Sequence, residues 1–224
     1  MIQNRTAQLI YQSFFCAFGL IGIPASMGLF SYAFWWDFYI HFTNLSNYLC
    51  IGVMVAELVQ TARKQKDAFV DVMPKLKFIS MLGIVLTFLV FNLLLAGQPT
   101  RDPSWNFRIN SVCLHIILPL MYVGDWVLFY QHGRVKWNWP LLSVLFPLTY
   151  LVYVFLHAAL WRFDASVLNS GGNVLIYPYF FLRVDQIGVG GVFKWCMILF
   201  AAFIIGGYLF LGLDRLLAEK YKNK

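Results

Sequence analysis

Residues 77–97, KFISMLGIVLTFLVFNLLLAG, decide the class of fold. After Lys77 the stretch contains no charged side chain. About 20 such residues in a helix, at 1.5 Å of rise per residue, cross a hydrocarbon layer roughly 30 Å thick. Runs of similar length and apolar character recur at 9–30, 40–61, 77–97, 109–130, 140–161 and 190–213. The sequence therefore predicts an all-α membrane protein, a bundle of six transmembrane helices.

The composition supports the same class. The 224 residues are 60% hydrophobic and only 12% charged, whereas about a quarter of the residues of a soluble globular domain are charged. The connections between the runs contain no low-complexity tract and no Pro/Gly/Ser linker. We therefore interpret residues 1–224 as one six-span domain and expect its function to lie in or near a lipid bilayer.

The formal net charge of +7 is distributed unevenly. In a six-span chain both termini share one side with the loop after span 2 and the loop after span 4. That side holds twelve of the seventeen Lys and Arg residues. The positive-inside rule then places both termini in the cytoplasm. The basic excess is a topology signal, and we predict no nucleic-acid partner.

Polar side chains recur inside three of the runs at helical spacing. Steps of three and four place residues on one face of a helix, and polar groups in a bilayer face the bundle interior. We expect these stripes to converge. They comprise Thr43, Asn47, Cys50, Met54 and Glu57 in span 2, Ser111, His115, Leu118, Tyr122 and Asp125 in span 4, and Tyr150, Tyr153 and His157 in span 5.

The topology also sets the depth of each polar residue. Thr43, His115 and His157 all lie roughly 5 to 10 Å below the outer entrance of the bundle. Glu57 and Asp125 belong to the other half, where they pair with Arg63, with a tyrosine or with each other, or relay protons. Ten residues separate His115 from Asp125, about 15 Å along a helix, so this carboxylate cannot orient the imidazole.

Nucleophilic ester cleavage requires at least a nucleophile and a base close together, and a hydroxyl and an imidazole at the same depth can supply them. Thr43 is the candidate nucleophile and His115 the candidate base. The first N–H groups of span 2, with Asn44 or Asn47, are candidate oxyanion donors. The group that orients His115 is left open among Asn110, Asp164, Tyr177 and Asp185.

Structural interpretations stand beside these roles. Thr43 or Asn44 serves equally well as a helix cap, and His115 as a hydrogen-bonding partner of a neighbouring backbone group or hydroxyl. His115, His157 and an outer carboxylate are also a donor set for a metal, but no His-x-x-x-His or His-Glu-x-x-His motif is present. We predict no metal and no cofactor. The segment 177–182 is too short to span and forms either an interfacial lid or an aromatic belt.

Three short motifs resemble the androgen-induced gene family of multi-pass membrane proteins, which includes the androgen-dependent TFPI-regulating protein. They are Phe42-Thr43-Asn44-Leu45-Ser46-Asn47, His115-Ile116-Ile117-Leu118-Pro119 and Tyr177-Pro178. The chain is most similar to compact bacterial members, which implies the bacterial inner membrane.

The resemblance implies a threonine hydrolase of fatty acid esters of hydroxy fatty acids, with Thr43 and His115 in the catalytic roles. His157 and the Tyr177-Pro178 pair also match family positions. Around Thr43 this chain is more polar than the eukaryotic branch. The predicted function is an intramembrane lipid ester hydrolase acting on a membrane lipid or acyl ester. The alternatives are a small proton-coupled transporter that uses Glu57 and Asp125, and a non-catalytic lipid-binding protein.

Overall fold

The computed structural model describes residues 2–31, 34–64, 66, 72–98, 103–161 and 176–222. In these residues all regular secondary structure is helical, and six segments are long and apolar enough to cross a membrane. The predicted six-span architecture is confirmed, while the side on which the termini lie stays a prediction. The segments are α1 (Arg5–Ser26), α2 (Phe42–Arg63), α3 (Pro74–Leu95), α4 (Ile109–Phe129), α5 (Trp139–Leu160) and α6 (Val184–Lys220).

Local sequence features explain where α1 and α3 begin. The side chain of Asn4 accepts a hydrogen bond of 2.8 Å from the Ala7 N–H, so α1 starts four residues before the predicted run. The predicted run begins later because Gln8 is polar, yet this side chain is buried in the bundle. Pro74 occupies the first turn of α3, where a helix needs no N–H group.

Two of the helices contain π turns that face each other. In α4 the residues Cys113–Ile117 form a π segment between two α-helical stretches, and in α3 the residues Phe91–Leu95 form another. A π turn inserts one residue and displaces a carbonyl from the regular hydrogen-bond ladder. The two irregular stretches meet where the ring of Phe91 stacks on His115.

The last two helices are interrupted as well. A break after Ser143 divides α5 into Trp139–Ser143 and Leu145–Trp161. In α6 the helix begins at Val184, and Gly188 has a φ of 67° within it, a conformation that glycine adopts without strain. The long part of α6 that follows this kink agrees with the predicted span 190–213, and a short helical stretch precedes it.

Helix α3 is central to the bundle, since it packs against α2, α4, α5 and α6. Helix α1 packs on α2 and α4. The outward faces carry large apolar side chains such as Leu93, Leu160 and Leu209, each more than two thirds exposed. A bilayer would cover these faces, as expected for a multi-pass membrane protein.

Charged residues also lie inside the bundle. Glu57 of α2 and Asp125 of α4 are fully buried, and both contact the ammonium of Lys77 from α3. The sequence pattern makes Lys77 the first residue of the span 77–97, counts it among the basic residues on the side of the termini, and offers Arg63, a tyrosine or each other as partners of the carboxylates. The structure instead places Lys77 between the two carboxylates.

Candidate active site

Thr43 lies in the first turn of α2, with 9% of its surface exposed. Its carbonyl oxygen accepts hydrogen bonds from Ser46 Oγ at 3.0 Å and from Asn47 Nδ2 at 2.8 Å. Its N–H group points to the hydroxyl of Tyr179 at 3.5 Å. The backbone of Thr43 is therefore held from both sides.

Tyrosine hydroxyls surround the start of α2. His41 precedes the helix and gives no side-chain capping bond. The Tyr179 hydroxyl faces the Thr43 N–H, and the Tyr150 hydroxyl donates to the Ile40 carbonyl at 2.9 Å. These two phenols also interact with each other. The Tyr179 hydroxyl accepts from the first turn of α2, so it takes the place of a local cap and holds the segment 177–182 against this helix.

Asn47 connects α2 to the π segment of α4. Its Nδ2 atom donates both to the Thr43 carbonyl at 2.8 Å and to the Leu114 carbonyl at 3.0 Å. A side-chain amide nitrogen carries two protons, so both are used. Asn47 thus aligns the helix of Thr43 with the helix of His115, and it has no proton left for an oxyanion.

His115 is oriented by its own helix and by an aromatic ring. Its Nδ1 atom lies 3.0 Å from the Ser111 carbonyl. A carbonyl only accepts hydrogen bonds, so Nδ1 carries the proton and the neutral ring keeps its lone pair on Nε2. The Phe91 ring stacks on the imidazole with a centroid distance of 3.7 Å and an angle of 17°. The predicted orienting groups do not include the Ser111 carbonyl.

Two cavities adjoin at Thr43. The first is polar, has a volume of about 250 Å³, and is lined by His115 and Thr43 together with Asp37 and His41. The second is apolar, has a volume of about 70 Å³, and extends between α3, α5 and α6. Four residues line both cavities, namely Thr43, Phe91, Leu95 and Tyr179. The structure therefore places Thr43 and His115 on one polar cavity, as their shared depth predicted.

Tyr179 is a residue of this junction that the sequence motifs do not single out. Its side chain is buried and stacks on Phe181 with centroids 5.0 Å apart. Burial raises the pKa of the phenol, and hydrogen bonds with Thr43 act in the opposite direction. The phenol is protonated at neutral pH and can donate a hydrogen bond. In the sequence, only its position directly after the Tyr177-Pro178 motif could have indicated that Tyr179 belongs to the site.

Two of the predicted supporting residues line the polar cavity. Asn44 is buried and its amide donates to the Phe38 carbonyl. Asn110 lies in the first turn of α4. Both residues face the cavity that contains His115.

The structure does not bring three other predicted residues to the cavities. His157 lies in α5, where its Nε2 atom is 3.1 Å from the Tyr39 hydroxyl. Tyr177 packs edge-on against Phe155. Asp185 forms an ion pair of 2.9 Å with Arg183 at an exposed position. None of the three lines either cavity.

The sequence analysis also considers Asp164 as an orienting group, and His115 with His157 as part of a metal donor set although no metal is predicted. Asp164 lies outside the described residues. Within the described ranges no group of three His, Cys, Asp or Glu side chains is arranged to hold a metal ion. His115 and His157 do not share a cavity, so they do not form the donor set considered from the sequence.

The fold and the junction at Thr43 define a multi-pass membrane protein with a polar and an apolar cavity side by side. Comparison of the chain with protein-family models, with curated proteins and with solved structures finds no match. The resemblance to the androgen-induced gene family therefore stays a prediction based on short motifs.

Proposed function

We propose that this protein is an intramembrane lipid ester hydrolase that uses Thr43 as nucleophile and His115 as general base. The observation that carries the proposal is the position of Thr43, which lines both a polar cavity shared with His115 and an adjoining apolar cavity. An acyl ester likewise has an apolar part, its acyl chain, and a polar part, its ester group. Its chain enters the apolar cavity while the ester carbonyl and the alcohol part lie on the polar side.

The proposed reaction has two steps. Thr43 Oγ attacks the ester carbonyl carbon and its proton passes to Nε2 of His115. The C–O bond to the alcohol then breaks, the alcohol takes the proton from His115, and an acyl-threonine remains. Water attacks this second ester with His115 again as the base, and the fatty acid leaves as Thr43 recovers its proton. The Ser111 carbonyl supports this cycle by fixing the Nδ1–H tautomer.

Two groups near Thr43 are suited to stabilise the oxyanion. The protonated phenol of Tyr179 is a donor at the junction, and the Thr43 N–H belongs to the positive end of the α2 dipole. The separation of 3.5 Å between them is long for a hydrogen bond. The Tyr179 hydroxyl can therefore exchange this long contact for a substrate oxygen, while the Thr43 N–H keeps its direction in the first turn of α2. Asn44 is a third donor, because one of its two amide protons bonds to Phe38.

The first experiment measures hydrolysis of fluorogenic acyl esters by the purified protein in detergent micelles. Thr43→Ala and His115→Ala should each abolish turnover. Thr61→Ala is the matched control for Thr43, since Thr61 is also a buried threonine of α2 but lines neither cavity, and its hydroxyl donates to the Glu57 carbonyl at 2.9 Å. His157→Gln is the control for His115, because His157 lies on neither cavity. Full activity of either alanine variant at position 43 or 115 would refute the assignment.

A second measurement separates the hydrolase from the two alternatives. A fluorophosphonate probe should form an adduct on Thr43 in the native protein and none in Thr43→Ala. A non-catalytic lipid-binding protein would retain a fluorescent lipid without labelling or turnover. A transporter would instead show substrate flux in proteoliposomes that survives Thr43→Ala and is lost in Glu57→Gln. Neither pattern is compatible with the proposed reaction.

A further inference from the structure

Three half-buried side chains of the polar cavity have open hydrogen-bonding capacity. Asp37 lies in the short 3₁₀ helix Trp36–Tyr39, Gln98 follows α3, and Asn110 lies in the first turn of α4. All three line the cavity, and within the described ranges none of these side chains forms a hydrogen bond or an ion pair. A carboxylate accepts hydrogen bonds, and each amide both donates and accepts. The cavity therefore offers donors and acceptors to a polar ligand from three separate elements.

The hydroxyl of Ser111 is enclosed in the same cavity. Only 3% of the surface of Ser111 is exposed, and in the part of the chain that the structure describes its hydroxyl has no hydrogen-bond partner. Buried hydroxyl groups normally have such a partner. Ser111 lines the cavity, and its carbonyl is the group that orients His115. A ligand that bonds to this hydroxyl thus lies next to the proposed base.

Two indole rings also line the cavity. Trp35 and Trp105 stack with ring centroids 6.2 Å apart at an angle of 27°. The guanidinium of Arg108 lies 3.7 Å from the centre of the Trp105 ring and helps to fix its orientation. An indole combines a flat apolar face with a single N–H donor. Apolar faces beside several polar groups suit a ligand whose carbon skeleton carries more than one hydroxyl.

The charge of the cavity narrows the class of ligand. Among the described residues that line it, Asp37 is the only Asp, Glu, Lys or Arg. A ligand carboxylate would therefore meet a like charge and no lysine or arginine of this lining. A quaternary ammonium such as choline would pair with Asp37, but it has no hydrogen-bonding group for the amides of Gln98 and Asn110. The neighbouring hydroxyl groups of a neutral polyol satisfy all three side chains, because each hydroxyl both donates and accepts.

We propose that the polar cavity is a binding site for polyhydroxyl alcohols, so that the ester cleaved at Thr43 is a fatty acid ester of glycerol or of a sugar. The assignment as substrate rests on the proposed hydrolase function, whereas the binding of the polyol does not. This class differs from the esters of hydroxy fatty acids that the resemblance implies. A hydroxy fatty acid would place a second hydrocarbon chain against Asp37, Gln98 and Asn110 and leave them without partners.

The first experiment measures binding without hydrolysis. Dodecyl glycerol ether and dodecyl glucoside carry a polyol but no ester, and dodecanol carries the same chain without the polyol. In polyoxyethylene micelles, which contain no sugar, both polyol compounds should raise the unfolding temperature of the native protein more than dodecanol does. Asp37→Ala and Ser111→Ala should each reduce this difference. Asp185→Ala is the matched control and should keep it, since Asp185 is exposed and lines neither cavity.

The second experiment compares the hydrolysis of dodecanoyl esters of glycerol, glucose, ethanol, choline and a hydroxy fatty acid. A site that bonds substrate hydroxyl groups discriminates against an analogue that lacks them, so kcat/KM for the glycerol or the glucose ester should exceed that for the ethyl ester by about tenfold or more. The better of the two identifies the polyol. Ser111→Ala should lower kcat/KM for the polyol ester alone. Ser143→Ala should keep the ratio, because it removes an equally enclosed hydroxyl that lines neither cavity.

The results separate this inference from the proposed function. Equal temperature shifts with dodecanol and the polyol compounds, or shifts that are unchanged in Asp37→Ala and Ser111→Ala, would overturn the binding site. Hydrolysis that is fastest for the ethyl, choline or hydroxy acid ester would overturn the substrate class while the hydrolase assignment stands. No hydrolysis of any ester, together with polyol binding that depends on Asp37, would refute the proposed reaction and support the binding site.

Discussion

The side-chain amide of Asn47 donates to the Leu114 carbonyl at 3.0 Å, one residue before His115. The same nitrogen donates to the Thr43 carbonyl at 2.8 Å. The acceptor on α4 belongs to a π segment, where the inserted residue displaces carbonyl groups from the regular ladder. One fully buried amide therefore connects the helix of the candidate nucleophile to the helix of the candidate base.

We expect Asn47→Ala to separate these two helices. It leaves the Leu114 carbonyl without this donor in a buried position, which costs about 1–3 kcal/mol, and it should reduce ester turnover even at saturating substrate. Thermal unfolding in micelles and the kcat of the purified variant are the measurements. Asn92→Ala is the control, because Asn92 also bonds a carbonyl four residues earlier, at 2.8 Å, but is exposed. Equal effects of the two substitutions would contradict the bridging role.

Tyr179→Phe tests the phenol at the junction. The ring and its stacking on Phe181 remain, while the hydroxyl that faces Thr43 is lost. If this hydroxyl stabilises the oxyanion, kcat should fall by about a hundredfold with little change in KM. Tyr177→Phe is the control, since Tyr177 lines neither cavity. A Tyr179→Phe variant with the native kcat would remove this residue from the mechanism.

The buried phenol of Tyr179 should also make the folding stability of the protein decrease at alkaline pH. Burial raises its pKa above the ordinary value of 10.0, so the folded state binds the phenolic proton more tightly than the unfolded state does. The resulting stabilisation is fully present below about pH 10 and is lost as the pH rises through the raised pKa. We expect the unfolding temperature of the native protein to fall more steeply above about pH 10 than that of Tyr179→Phe. Parallel curves for the two proteins would contradict the expectation.

The six spans were predictable because an apolar run of about 20 residues is the length that a membrane-spanning helix requires. The depth of Thr43 and His115 followed from the same runs and the rise of a helix. Two features were not visible in the pattern. The π segment that exposes the Leu114 carbonyl has no signature in hydrophobic spacing. Tyr179 reaches Thr43 from 136 positions further along the chain, a contact that only the folded bundle creates.

Lys77 was misplaced for a different physical reason. The apolar pattern places Lys77 at the first position of the span 77–97, where a lysine normally extends to the membrane surface, and hydropathy does not show which way the side chain points. Here it lies one turn inside α3 and turns inward to two carboxylates on other helices. Its partners Glu57 and Asp125 were recognised as interior residues, but the cation between them was not.

Lys77→Met should destabilise the bundle strongly. Removal of the ammonium leaves two buried acidic side chains without the partner that they share, and loss of one partner from a buried ion pair costs about 3–5 kcal/mol. Thermal unfolding in micelles measures the effect. Lys75→Met is the control, because Lys75 lies in the same turn of α3 and is exposed. The combination of Lys77→Met with Glu57→Gln and Asp125→Asn should recover stability, since it removes the acidic groups that lost their partner. Failure of this recovery would show that packing rather than charge accounts for the loss.

The apolar cavity predicts selectivity for the length of the acyl chain. Leu199 of α6 lines this cavity, together with Leu182 and Leu151. Leu199→Trp should fill part of its volume of about 70 Å³, so that long chains no longer fit. Because a methylene group in an apolar site changes kcat/KM by about tenfold or more, we expect a loss of at least tenfold for long-chain esters and little change for acetyl or butyryl esters. Leu209→Trp is the control on the same helix, since Leu209 is 69% exposed on the outer surface. An equal loss for short and long esters would show that the substitution disturbs the fold, and an unchanged profile would exclude this cavity as the acyl site.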